Sequence, residues 1–339
     1  MNVAKQKWIL LLATVCCFIN ISFGQVEEIS SVGITVSNME RSVAFFNNAL
    51  GFKKISDVEL QGTNYENLEG IYGLHMRVVR MQLGDEYIDL TDYLTSGGRP
   101  VPTEAKSNDL IFQHIAVVVS DMDKAYRHLR KHMVEYVSSE PQTLPVSNPA
   151  AAGIKAFYFH DPDRHNIELI WFPKGKGQPK WQNANGKLFL GIDHTAIGIS
   201  NTDSSLVFYQ DILGIKRKGE SWNMGKEQAH LNFVEGASLH ITGLRAASGP
   251  GIEFLQYLKP GPGKPYPSDT RADDIWYWQT TLVADDIQKI FDQVESAGYR
   301  IVSKGMVSLQ TRDGKQMRAF IVRDRDGHAM LITEKLKQT

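Results

Sequence analysis

The chain has 339 residues, 42% apolar and 22% charged, enough for two ordinary domains and too apolar for overall disorder. A net charge of −1 gives no electrostatic ground for a nucleic-acid or anionic-membrane partner.

Lys5 and Lys7 precede an apolar run over residues 8–21, and Ser22-Phe23-Gly24 ends it with small residues at both ends. This is the pattern of a secretory signal, residues 1–24, cut after Gly24. The run is shorter than the ~20 apolar residues a spanning helix needs, so no membrane span is expected after cleavage. Losing Lys5 and Lys7 takes the charge from −1 to −3. Cys16 and Cys17, the only cysteines, leave with the signal. The mature chain is therefore expected to lack disulfides and thiolate ligands, as fits a secreted or periplasmic bacterial protein.

Four strand-then-helix phrases follow, each with a marked residue at the start of its strand: Ser31, His114, His194 and Gln279. The next residues, Val32, Ile115, Thr195 and Thr280, are spaced by 83, 80 and 85. Each phrase opens a module of strand, helix and about three more strands. Asn38 caps the first helix, Met39, Val43, Phe46 and Leu50 form its buried stripe, and Gly51 stops it. Met122, Tyr126 and Leu129 repeat the stripe in module two, and Ile287, Ile290 or Phe291, and Val294 in module four. In module three Asp203 is the expected cap, Leu206, Tyr209 and Leu213 the stripe, and Gly214 the stop. Later strands are expected at 77–83, 86–90, 156–159, 166–171, 238–244, 251–258, 318–322 and 329–333.

Residues 173–187, rich in Gly, Pro, Lys and Asn, read as a linker between halves 26–172 and 188–336. Asp161-Pro-Asp-Arg-His165 in the first half answers Asp324-Arg-Asp-Gly-His328 in the second, a sign of duplication. The two histidines are expected to bond backbone at these turns.

The last strand of three modules carries a carboxylate between apolar residues: Asp89, Glu168 and Glu253, with Leu331 at the fourth position. Alternation places these carboxylates on the face away from the helices. An unpaired buried carboxylate costs several kcal/mol, so each must be paired, exposed or bound to a cation. Paired within halves, the sets are Ser31, Asp89, His114 and Glu168, and His194, Glu253, Gln279 and Leu331. Each keeps three candidate ligands of imidazole, carboxylate or amide type, which suit Zn, Fe, Mn, Ni or Co. Three ligands with open positions is the catalytic arrangement.

At these residues the chain resembles the vicinal oxygen chelate superfamily, which includes glyoxalase I, extradiol dioxygenases and the fosfomycin and bleomycin resistance proteins. The resemblance implies an α+β fold of four βαβββ modules paired into two domains, each a curved mixed sheet around a divalent metal with helices outside. It places metal ligands at the start of the first strand and the middle of the last strand of each module. On these positions His194, Glu253, Gln279, Asp89, His114 and Glu168 are the candidate ligands, and the preference falls on the second half. The glyoxalase-like pattern of four ligands fits three positions there, and the dioxygenase pattern fits fewer. The implied function is a metal-dependent isomerase, lyase or epimerase acting on a small vicinal-oxygen substrate, with Glu253 or Glu168 as the proton-transferring base. The alternatives are an Fe(II) ring-cleaving dioxygenase and a non-catalytic small-molecule binding protein. His230 and His240, which precede Glu253, are candidate substrate contacts.

Overall fold

The computed structural model describes residues 25–310 and 314–336. Residues 1–24, the expected signal segment, with Cys16 and Cys17, lie outside the described residues. No helix among the described residues is long and apolar enough to cross a membrane.

The four modules open on strands Val26–Thr35, Gln113–Val119, Phe189–Ile199 and Trp278–Ala284. They close on Glu86–Tyr93, Asn166–Trp171, Gly251–Lys259 and Ala329–Glu334. Helices Met39–Leu50, Met122–Lys131 and Ile287–Ser296 stand where the apolar stripes place them. Asn38 accepts a bond from the Arg41 amide at 2.9 Å, and Gly51, at φ 75°, takes the left-handed conformation that ends the helix. In module three Asn201, not Asp203, is the cap. Its backbone is extended and its side chain accepts from the Ser204 amide at 2.9 Å, which leaves Asp203 in the first turn. That helix, Thr202–Leu206, continues as a π-helical turn over Val207–Ile212.

The modules do not pair within halves. The opening strand of module one lies antiparallel to that of module four, with Gly33 opposite Gln279. The opening strand of module two lies antiparallel to that of module three, with His114 opposite Ala196 and His194 opposite Ala116. Each closing strand runs parallel beside its own opening strand. The result is two nine-stranded sheets, each built from both halves. Sequence periodicity establishes that the modules are alike but carries no information on which two share a sheet, so the within-half ligand sets are regrouped.

The halves nevertheless cohere, through the helix layer. One apolar cluster packs Phe46 and Leu50 of the first helix and Met122 and Leu129 of the second against both sheets, through Val32 and Ile88 on one and Ile115 and Leu169 on the other. A second does the same for modules three and four, through Tyr209, Phe254, Ile290 and Phe320. The two sheets thus share the helices on their convex faces, which leaves the concave faces open. The turn histidines tie the sheets further. Nε2 of His165 lies 2.5 Å from the Ile275 carbonyl and its Nδ1 2.8 Å from Asp161, while Nε2 of His328 lies 2.7 Å from the Gly198 carbonyl. The two carbonyl contacts each tie a turn of one sheet to a segment of the other, while Asp161 holds His165 within its own turn. Acceptors face both ring nitrogens of His165. Burial alone would lower its pKa, but Asp161 and the Ile275 carbonyl overcome this and raise it.

Candidate metal centre

Regrouping brings His114, Glu168, His194 and Glu253 into one cup. Two cross-strand rows position them. In one row Glu168 and His194 flank Ala116; in the other His114 and Glu253 flank Ala196. Neighbouring strands are ~4.8 Å apart, so each row holds its two polar side chains about two strand spacings apart over a methyl group. Both alanines are fully buried, and their size leaves the space into which the four side chains lean.

Nε2 of His114 is 3.0 Å from Glu168 Oε2, and Nε2 of His194 is 3.5 Å from the same oxygen. Ligand atoms of these three buried residues all lie within 4.8 Å of one another. Glu253 stands beside the group, its Oε2 3.5 Å from His194 Nε2, with its side chain partly open to the cavity. Neither Nε2 is aligned for a hydrogen bond, and His114 Nδ1 also lacks a partner. A buried donor or acceptor left unpaired costs ~1–3 kcal/mol, which coordination of a shared cation would offset. The donor set of two imidazoles and two carboxylates, with no thiolate, fits a borderline or hard divalent ion.

The electrostatics agree. Burial pushes Glu253 up from the usual carboxylate range, whereas for Glu168 the two histidines overcome burial and hold it below. Burial would depress His194, but Glu253, Asp193 and Glu168 together hold it well above the ordinary histidine value; for His114 burial wins and lowers it. The carboxylates that draw a proton onto His194 would equally draw a metal cation.

Asp193 anchors His194 from behind. Its Oδ2 is 3.1 Å from His194 Nδ1 and accepts from Arg245 Nη2 at 2.8 Å, while Oδ1 accepts from the Trp181 indole at 2.6 Å. Trp181 belongs to a short 3-10 turn, Pro179–Gln182, inside the segment read as a featureless linker. A carboxylate that orients a ligating imidazole typically governs metal affinity by ~10–100-fold. Asp193→Asn is accordingly expected to weaken metal binding by about that factor, checked by competition with a colorimetric chelator; unchanged affinity would remove Asp193 from the site.

A cavity of about 300 Å³ opens over Glu168, His194 and Glu253, walled by Tyr158, Leu231 and Ile241 with Asn223 and Gln228 as polar groups. His230 is not in it. The phase of helix Lys226–Asn232 turns Gln228 and Leu231 inward and leaves His230 exposed. His240 also misses the cup. Ile241 and Gly243 line it, so alternation sends His240 to the other face, where Nδ1 is 3.3 Å from Thr202 and the ring stacks on Trp222.

Asp89 and Gln279 fall in the other sheet. Asp89 is clasped by Arg80 through two 2.8 Å bonds and accepts from Ser31 at 2.6 Å. Gln279 accepts from the Tyr277 hydroxyl at 2.8 Å. Neither approaches the histidines.

A model of the Glyoxalase/Bleomycin resistance protein/Dioxygenase superfamily matches residues 28–169 and again 191–332. The chain belongs to this superfamily. Superfamily members commonly use a divalent metal and bind small-molecule substrates. Glyoxalase I from Zea mays shares the superfamily fold with a TM-score of 0.60 at 12% identity, over 92% of each chain. A putative dioxygenase from Bacillus subtilis subsp. subtilis str. 168 aligns with a TM-score of 0.55 at 14% identity, over 92% of this chain and 86% of its own. At such identities the likeness is one of fold. YwkD, an uncharacterized protein of Bacillus subtilis (strain 168), is 26% identical over 144 residues, 42% of this chain and 96% of its own length. The superfamily unit is thus repeated here, and the cup described above draws one half of its candidate ligands from each repeat.

Proposed function

We propose that the protein is an exported, divalent-metal-dependent enzyme of the isomerase, lyase or epimerase kind that moves a proton beside a carbonyl of a small vicinal-oxygen substrate. The supporting observation is the convergence of His114, Glu168, His194 and Glu253, whose pattern of imidazole and glutamate from each module is complete only across the halves. His114, His194 and Glu168 would hold a divalent ion, which would supply Lewis-acid polarisation of the substrate oxygens. Glu253, nearest the cavity and outside the tight group of three, takes the proton from carbon and returns it. Asp193 fixes the His194 ring, and Leu231, Ile241 and Tyr158 keep water from the reacting carbon. Glu168, placed between both histidines, is assigned to holding the metal.

Elemental analysis of the purified protein tests the site. About one metal ion per chain is expected, lost in His114→Ala and equally in His194→Ala, and retained in Asp89→Ala and Gln279→Ala. Retention in both histidine variants would sink the assignment. Turnover is read by NMR as deuterium uptake from D₂O into dihydroxyacetone, glycolaldehyde and related hydroxycarbonyls. Export is supported by the charge and apolar pattern of residues 5–24, and Gln25 is the expected first residue of the exported protein on N-terminal sequencing.

A second reading is favoured by one feature, the tight group of two histidines and one carboxylate, which is also the donor set of Fe(II) oxygenases. Oxygen consumption with catechol by the Fe(II)-loaded protein, without deuterium exchange, would select it.

A further inference from the structure

The cup of the other sheet, built from modules one and four, carries no comparable donor group among the described residues. Its counterpart positions hold the closed Asp89–Arg80 pair and Leu331, yet its cavity is the larger, about 470 Å³. Glu69, the last residue of helix Thr63–Glu69, is buried in its wall. The neighbours of this carboxylate are neutral donors. The Tyr93 hydroxyl donates to Oε2 at 3.4 Å, and the side chain of Gln279, itself held by Tyr277, donates as well. Among the described residues Glu69 forms no ion pair, and burial pushes its carboxyl up to about 7. Arg80 is committed to Asp89, and Arg323 lies behind Tyr277, 5.7 Å from the ring centroid and bonded to the Thr270 carbonyl. The rings of Tyr65, Tyr93 and Tyr277 line the cavity around Glu69, and the rest of its wall mixes apolar residues, Val58 and Leu309 among them, with Thr35, Ser56, Thr91 and the Asp89–Arg80 pair.

A desolvated carboxylate whose hydrogen-bond partners are all neutral lacks a counter-ion, and aromatic faces beside it attract cations. We propose that this second cup is a binding site for a small organic ammonium ion with an apolar body, the ammonium group seated against Glu69 and the tyrosine rings. An anion is disfavoured there, because among the described residues the one guanidinium in the wall, that of Arg80, is already neutralised by Asp89. Ammonium binding in this cup requires no metal in the first.

Calorimetric titration of the intact protein with 2-phenylethylammonium chloride, 2-phenylethanol and sodium phenylacetate tests it. The three probes share one apolar body and differ in charge. The ammonium ion is expected to bind at least about tenfold more tightly than the alcohol, a difference of ~1.4 kcal/mol, and more tightly still than the carboxylate. Binding should persist after EDTA treatment. Glu69→Gln should erase the preference for the ammonium ion while leaving the alcohol within about twofold and the metal content unchanged. Equal affinity for ammonium and alcohol, no ammonium binding at millimolar concentration, or loss of binding with EDTA would each overturn the proposal. These three comparisons use the wild-type protein, so they decide the matter even where Glu69→Gln fails to fold. If it folds and keeps the preference, the assignment of Glu69 falls.

Discussion

Glu253→Gln is expected to keep the metal and lose turnover. His114, His194 and Glu168 form a compact ligand group without it, and the amide preserves size and polarity while removing the proton acceptor. A positioned base is typically worth ~10²–10⁴-fold, so deuterium exchange into the responsive hydroxycarbonyl should fall by about that factor. Elemental analysis in parallel should still return about one ion per chain. Glu168→Gln provides the contrast. Its oxygen is shared between both histidines, so that variant should lose metal and activity together. If Glu253→Gln loses the ion as well, Glu253 is chiefly a ligand and the proton carrier lies elsewhere. If it keeps full exchange activity, proton transfer does not pass through Glu253.

The residues of this site were legible in the sequence one by one, but their grouping was not. Alternation alone sends Glu168 and Glu253 to the concave face, and both arrive there, with His114 and His194 against them. Which opening strands lie side by side depends on tertiary packing. The four modules resemble one another closely enough that no local pattern separates pairing within halves from pairing across them. The physical trace of the correct pairing lies in residues too small to draw notice. Ala116 and Ala196 are the cross-strand partners of His194 and His114, where the other sheet places Thr281 and Gly33 opposite Ser31 and Gln279. Asp193 and Trp181 escaped for a different reason. Asp193 adjoins a candidate ligand but points behind it, and Trp181 sits in a stretch without periodicity. Glu69 ends a short helix between strands, where no motif marks it, and only burial singles it out. His230 and His240 lie off the cup through rotation about a helix axis and through strand parity, both set by the neighbours of those elements.

The row of Glu168, Ala116 and His194 makes a steric prediction that separates the two pairings. Side chains directly opposite across strands have Cβ atoms ~4.5–5.5 Å apart, so a leucine at 116 would project into the space that Glu168 and His194 share. Ala116 is fully buried beside Val118, Ile170 and Trp181 on the cup side of the sheet. Added volume in a packed site costs ~1–3 kcal/mol, a loss that a domain of ordinary stability survives. Ala116→Leu is therefore expected to keep its circular dichroism spectrum, melt at a lower temperature and return metal near zero on elemental analysis. The leucine excludes the ion by filling its place, so excess metal should not restore occupancy. In the pairing within halves, Ala116 would have no histidine from module three beside it, and the same substitution would leave His194 undisturbed. A folded Ala116→Leu protein with its full complement of metal would thus contradict the cross-half cup itself, whichever reaction that cup supports.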